Sequence, residues 1–137
     1  MTAGKNGCDP AAGHPALLAF LLNAPEADRV ESFIYDQPGE TAVSFASWVE
    51  IQGRLKALGL SSEQIEAQMA DARRLPIATL WPDERTLQAM LQIKTAGYFP
   101  FADTLIAATA QAHKLVLIHK DPHFDSLPVQ QLNLTKS

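Results

Sequence analysis

Three acidic residues have positions that could support chemistry: Asp103 and Asp121 stand at opposite ends of a predicted helix-then-strand unit, and Glu50 lies on the apolar side of an earlier helix. Carboxylates that meet at one end of a sheet repel one another, and a hard divalent cation such as Mg²⁺ relieves that repulsion because it prefers oxygen ligands. A cation held in this way can activate water and stabilise a phosphodiester transition state. Together the three acids therefore indicate metal-dependent hydrolysis of a phosphodiester.

Taken one at a time, each acid also has an ordinary explanation. Glu50 follows the apolar residues Trp48 and Val49 in a predicted helix and can reach water from the edge of the apolar stripe. Asp103 falls in the first turn of a helix, where an acid is favourable by about 0.3–1 kcal/mol. Asp121 belongs to an Asp-Pro pair, which is common in turns. The metal site is favoured only when the three acids are considered as a set.

Length and composition limit the other possibilities. The 137 residues suit one domain over residues 1–137, and a hydrophobic content of 47% is typical of a folded protein. The net charge of −4 disfavours a protein that grips nucleic acid by charge alone, so a nucleic-acid role requires a local patch or metal ions. With Cys8 as the one cysteine there is no intrachain disulfide, which suits a reducing cytoplasm, and no apolar run approaches a membrane span.

The predicted elements alternate between helices and strands. The segment 14–37 is interpreted as two short helices, the first opened by Pro15. Amphipathic helices are predicted in 46–60, 61–75, 82–97 and 100–113, and β runs are "ETAVSF", "PIATL", "KLVLIH" and, as an edge strand, "VQQLNL". This order predicts an α/β sandwich with a mainly parallel sheet, whose sites lie at the carboxyl ends of the strands. Residues 1–13 do not read as a strand, because Pro10 cannot donate to a ladder.

Other kinds of site receive little support from the sequence. The histidines at 113, 119 and 123 do not have the convergent spacing of a zinc site. Ser44 and Ser47 lie outside any nucleophile-elbow motif, and no glycine-rich phosphate loop is present.

The segment "FPFADTLIAATAQAHKLVLIHKDPHF" resembles the C-terminal half of a PIN-domain protein, specifically the toxin of a VapC-type toxin–antitoxin pair. "SFASWVEIQGRL" resembles the family segment that carries a Glu, and "ALLAFLLNAPEADRVE" resembles its first helix and the turn after it. Glu50, Asp103 and Asp121 match the family's acids. The resemblance implies a three-layer α/β/α sandwich, Mg²⁺ or Mn²⁺ as cofactor, RNA as substrate, a homodimer, and an antitoxin as partner.

The beginning of the chain departs from the family. Gly13 stands where the resemblance places the family's first Asp, and "KNGCDPAA" replaces the strand before it. We therefore expect no regular central strand before Gly13, and either marginal stability or cover from another segment or a partner chain. Asp9 is the nearest acid but lies four residues too early. His119 and His123 replace a hydroxyl residue and an acid that the family often carries.

Two functions stay open at this point. The first is a ribonuclease toxin in which Glu50, Asp103 and Asp121 hold the metal. In it, Lys120, Lys114 and Arg54 contact phosphate, unless they are only solvated surface charges. The second is a PIN-like binding protein that has lost catalysis with the first Asp and still pairs with an antitoxin or a sister subunit. A receiver or phosphatase domain is disfavoured, because it needs an Asp at the end of its first strand.

Overall fold

The structure is a computed structural model that describes residues 16–18, 34–35, 41–119 and 124–133. Its strands are β1 (Ala16–Leu18), β2 (Thr41–Ser44), β3 (Ala78–Leu80), β4 (Val116–His119) and β5 (Gln131–Asn133). Its helices are α1 (Phe45–Ala57), α2 (Ser62–Arg73), α3 (Glu84–Lys94) and α4 (Phe101–Ala112). From β2 onward, every predicted helix and strand is present, which confirms the alternating order.

The strands form one sheet in the order β3-β2-β1-β4-β5, and all four neighbouring pairs are parallel. Each parallel pair needs a crossover connection, and the helices α1 to α4 lie within those connections. Since the strands are parallel, their carboxyl ends all meet at one edge of the sheet, called here the carboxyl edge. The segment "VQQLNL" supplies the edge strand β5, as predicted.

The central strand differs from the prediction. Ala16–Leu18, which we predicted to open a helix, is β1 and pairs with β2 on one side and β4 on the other. A short apolar run cannot be assigned to helix or strand by periodicity, and a strand flanked by two neighbours favours unbroken apolar residues. The expected gap at the centre of the sheet is thus covered by a segment from after Gly13. The prediction for residues before Gly13 lies outside the described residues.

Two apolar clusters on opposite faces of the sheet establish the layers. Ala42 packs with residues of α3 and α4, including the buried Ile93 and Ile106. The next residue, Val43, packs with Trp48 of α1 and with α2. Because neighbouring strand residues point to opposite faces, α1 and α2 cover one face and α3 and α4 cover the other. The three-layer α/β/α fold is confirmed.

Side-chain caps fix where two of the helices begin. Ser61 and Gln64 form a reciprocal capping box at the start of α2. Asp83 and Thr86 form the corresponding pair at α3. The hydrogen bond from the Thr86 amide lowers the pKa of Asp83, and this cap weakens as the carboxylate is protonated in acid.

No helix among the described residues is long and apolar enough to cross a membrane.

The helix that carries Glu50 begins with a buried cap, which gives a first prediction. The Ser44 side chain accepts a hydrogen bond from the Ala46 amide at 3.1 Å. We expect Ser44→Ala to lower the free energy of unfolding by about 1 kcal/mol, because the first turn of α1 loses this acceptor. Urea denaturation measures the change. Ser62→Ala, at an exposed position in α2, is the control, and equal effects of the two substitutions would contradict the cap.

Candidate active site

The carboxyl edge is where α1 begins and where the start of α4 lies. Ser44 is both the last residue of β2 and the N-cap of α1, so α1 starts at this edge. The helix α4 ends at Ala112, shortly before β4 begins at Val116. Since a crossover helix runs back along the sheet against the strand direction, the first turn of α4 lies toward the carboxyl edge. The fold thereby directs Glu50 and Asp103 to the same end of the sheet.

Glu50 lies on the face of α1 that also contacts the cluster formed by α3 and α4 on the other side of the sheet. It stands one turn after Ala46, and residues four apart share a helix face. Ala46 is buried in the cluster formed by α3 and α4, although most of α1 packs on the other face of the sheet. Glu50 itself is half-buried. The first half of α1 therefore spans the carboxyl edge and turns this carboxylate toward the layer of α4.

Asp103 is half-buried in the first turn of α4. This turn has no side-chain cap, and the Thr104 hydroxyl instead donates to the Pro100 carbonyl at 2.8 Å. Ala107, one turn after Asp103, is completely buried in the cluster of α3 and α4. The amide groups of the first turn favour a negative charge at this position. Asp103 is thus set at the boundary between the core and solvent.

The structure brings two of the three predicted acids to one edge and leaves the third undescribed. The helices α1 and α4 contact each other, so Glu50 and Asp103 lie on packed neighbours. Asp121, Asp9 and Gly13 lie outside the described residues. Within the described ranges, no three His, Cys, Asp or Glu side chains form a metal-binding group. Convergence of all three acids therefore stays a prediction.

The donor set suits a hard cation. Carboxylates of Glu50 and Asp103, with Asp121 as the third acid, are the oxygen ligands that Mg²⁺ and Mn²⁺ take in proteins. The sequence supplies no acid in place of the family's first Asp. By resemblance Gly13 stands at that position, but it precedes β1 in the chain, so this assignment is wrong; the residues directly after β1 are Ala19 and Phe20, and neither is an acid. If Glu50, Asp103 and Asp121 converge as predicted, the site offers three carboxylates rather than four, and water would complete the coordination.

A residue at this edge that the sequence did not indicate is Ser47. Its side chain is completely buried, and its hydroxyl has no hydrogen-bond partner in the part of the chain that the structure describes. It precedes Glu50 by three residues and so shares a side of α1 with it. The signal in the sequence for a functional role of Ser47 was only its spacing from Glu50, and any serine in a helix can have that spacing by chance.

His119 ends β4 at the carboxyl edge and is completely buried. The Gln131 amide group donates to the Leu127 carbonyl at 3.0 Å, so the amide oxygen of Gln131 faces the imidazole. The Nε2–H of His119 then donates to that oxygen at 2.7 Å. Asp125 Oδ1 lies 3.7 Å from the same nitrogen, and Phe124 packs beside the ring. The histidine that replaces the family's hydroxyl residue thus ties β4 to β5 two residues before Asp121.

The basic residues that we predicted to contact phosphate do not all lie close to the acids. Lys114 follows the end of α4 and precedes β4, which places it at the amino edge of the sheet, opposite to Asp103. Lys114 therefore does not lie beside Asp103, because α4 runs the length of the sheet between them, and its role as a phosphate contact stays a prediction. Arg54 is exposed in the last turn of α1, one turn beyond Glu50. Lys120 and His123 lie outside the described residues.

Comparisons with known proteins agree with this architecture. The family model of the PIN domain matches residues 16–130, starting after Gly13. A similar solved chain comes from VapBC2 of Rickettsia felis bound to a DNA fragment from their promoter (TM-score 0.68, 16% identity, 86% of this chain and 97% of that chain). Another comes from FitAcB of Neisseria gonorrhoeae (TM-score 0.66, 19% identity, 89% and 99%). A third comes from VapBC-5 of Mycobacterium tuberculosis, a member of the VapBC family of toxin–antitoxin systems (TM-score 0.62, 18% identity, 87% and 98%). No curated protein sequence matches the chain significantly.

The hydrogen bond of His119 yields a prediction for the carboxyl edge. Gln131→Leu removes the acceptor of a buried imidazole N–H while keeping a side chain of similar size. We expect the free energy of unfolding to fall by about 1–3 kcal/mol, the usual cost of depriving a buried donor of its partner. Urea denaturation measures it against Gln130→Leu, at the exposed neighbouring position. A loss as large in the control would show that the effect is not specific to the hydrogen bond.

Proposed function

This chain belongs to the PIN domain family, and we propose that it is a metal-dependent endoribonuclease that acts as the toxin of a toxin–antitoxin pair. The observation that carries the proposal is the placement of Glu50 and Asp103 at the carboxyl edge on two helices that contact each other. Acids at this edge of a parallel sheet occupy the usual ligand position of such folds. The match to the family over 16–130 covers every strand of the described sheet except β5.

In this proposal, Glu50, Asp103 and Asp121 hold Mg²⁺ or Mn²⁺. The cation supplies an activated water and stabilises the charge that develops on the phosphodiester. The protein supplies the position of the ligands. Glu50 is held by the burial of Ala46 on the same helix face, and Asp103 is held by the completely buried turn that follows it. Rigid first turns keep the carboxylates in place without the cation, so that binding costs little reorganisation.

The partner in the proposal is a cognate antitoxin. Support comes from the solved neighbours, one of which is described as a member of the VapBC family of toxin–antitoxin systems and another as VapBC2 bound to promoter DNA. A groove between α1 and α2 offers a surface for such a partner. It is lined by the exposed Val49 together with Gly53 and Met69. Its apolar floor and charged rim, with Lys56 and Glu66, are typical of a protein-binding surface.

A second copy of the chain is also part of the proposal. Leu87 and Leu91 are exposed one turn apart on α3, and Tyr98 beyond the helix is almost fully exposed. We call these three residues the α3 strip. Contiguous exposed apolar residues in a protein of this size commonly mark an interface. A two-fold dimer places the same strip on both partners, so each copy covers the other.

The rival function is a binding protein that has lost catalysis. The feature that favours it is the lack of an acid directly after the central strand, where Ala19 and Phe20 stand and where the resemblance places the family's first Asp, so that one negative charge and one ligand are missing. Three carboxylates attract a divalent cation less strongly than four, and we expect metal affinity below that of a complete site. The rival keeps the antitoxin and the sister subunit as partners. Cleavage of RNA by the purified protein separates the two functions.

We expect Asp103→Asn and Glu50→Gln each to abolish RNA cleavage in Mg²⁺ or Mn²⁺ with little change in the circular dichroism spectrum. The amide keeps the shape of the side chain but removes the charge that the cation needs. Cleavage of a labelled RNA by the protein freed of its antitoxin measures the effect. Asp71→Asn, at an exposed acid that pairs with Arg74, is the matched control and retains activity.

Three outcomes of this assay are informative. Loss of cleavage in both site variants but not in the control supports the nuclease. Cleavage that persists in excess chelator removes the metal from the mechanism. A wild-type protein that neither cleaves RNA nor binds Mn²⁺, yet still binds an antitoxin, supports the rival binding function.

The α3 strip gives a prediction about assembly. We expect the wild-type protein to elute as a dimer in size-exclusion chromatography with light scattering. The double variant Leu87→Gln, Leu91→Gln should elute as a monomer, because two apolar contacts on each copy are lost. Val49→Gln, at an exposed apolar position on α1, should leave the dimer intact. A wild-type monomer, or a dimer unaffected by the double variant, would rule out this surface.

A further inference from the structure

The buried hydroxyl of Ser47 is an exception among the polar groups near the carboxyl edge. Ser44, three residues earlier, is equally buried and accepts a hydrogen bond from the Ala46 amide. Thr104 is equally buried and donates to the Pro100 carbonyl. The Ser47 hydroxyl has no such partner in the part of the chain that the structure describes. Since most buried polar side chains are hydrogen-bonded, each exception requires an explanation.

Keeping an unpartnered hydroxyl in a protein core is costly. A buried donor without a partner loses its hydrogen bonds to water and gains none in return. An alanine at this position would avoid the cost, and it is also a better helix former than serine. A feature that lowers stability in the free protein is commonly retained because it is used when a ligand binds. The stability cost thus points to a role in function.

The position of Ser47 places it close to the acidic site. Its predecessor Ala46 packs in the cluster of α3 and α4, and its successor Trp48 packs in the cluster of α1 and α2. Ser47 therefore lies between the two cores, over the carboxyl edge, on the turn of α1 that leads to Glu50. The central strand β1 ends beside it, since Leu18 pairs with Val43, the residue before the N-cap of α1.

We infer that Ser47 is a positioning residue of the acidic site, whose hydroxyl gains its hydrogen-bond partner from a water of the hydrated divalent cation held with Glu50. This inference rests on the proposed function. A Mg²⁺ ion bound by a few carboxylates keeps several of its waters, and those waters need acceptors and donors from the protein around them. Ser47 supplies one such group without removing any negative charge from the site. It partly compensates for the acidic ligand that is missing after β1.

Thermal unfolding in the presence of chelator provides the first test. If Ser47 only supported the fold, replacing it would lower the melting temperature, whereas the inference predicts that the melting temperature rises. We expect Ser47→Ala to melt a few degrees above the wild-type protein when no cation is present, since the unsatisfied hydroxyl is gone. Ser44→Ala is the matched control, with the same substitution at an equally buried serine, and it melts below the wild type because α1 loses its cap. A destabilised Ser47→Ala variant would overturn the inference.

Calorimetric titration with Mn²⁺ provides the second test. We expect Ser47→Ala to bind Mn²⁺ about tenfold more weakly than the wild type, the usual loss when a group that supports the bound metal is removed. Glu50→Gln should lose most of the binding. The combination of higher apo stability and weaker Mn²⁺ binding in Ser47→Ala supports the inference.

The remaining outcomes separate this inference from the proposed function. If Glu50→Gln weakens Mn²⁺ binding but Ser47→Ala binds as the wild type does, Ser47 is not part of the site and the nuclease proposal stands. If Glu50→Gln binds Mn²⁺ as well as the wild type, Glu50 is not a ligand and the proposed function fails together with the inference.

Discussion

The parallel pairing of β1 with both β2 and β4 is the constraint on which the rest of the structure depends. It forces each connection to return along the sheet, so that helices cover both faces and every strand ends at the same edge. This direction alone sets Glu50 and Asp103 toward the same end of the sheet. Glu50 follows β2 into the start of α1, and Asp103 begins the helix that leads back to β4.

The same constraint concentrates buried polar groups at the carboxyl edge. Most of the completely buried polar side chains of the described ranges lie at strand ends or in first helical turns on this side: Ser44, Ser47, Thr86, Thr104 and His119. All of them except Ser47 have a hydrogen bond that stabilises the free protein. The edge is therefore a polar layer between two apolar cores, rigid enough to hold carboxylates near solvent. A function that depends on preorganised ligands requires such a layer.

The wrong prediction of a helix at Ala16–Leu18 shows what a sequence pattern cannot decide. "ALLAFLL" fits a buried helix and a buried strand equally well, because an all-apolar run has neither helical nor strand periodicity. In contrast, the helix over 62–73 was predictable because its start depends on local groups, with Ser61 and Gln64 satisfying backbone groups within four residues. The position of Lys114 relative to Asp103 was not predictable, since it depends on the direction of a crossover helix rather than on spacing.

What the sequence determined by itself is the local chemistry. The four later helices, the strand runs and the identities of Glu50, Asp103 and Asp121 as candidate ligands depend on interactions between near neighbours, which spacing and residue type encode. Only the tertiary structure decided that Ala16–Leu18 lies at the centre of the sheet, and that the Ser47 hydroxyl, one turn before Glu50, is buried without a hydrogen-bond partner among the described residues. Both depend on which distant segments pack together, and an apolar run or a helical serine carries no local signal of its eventual neighbours.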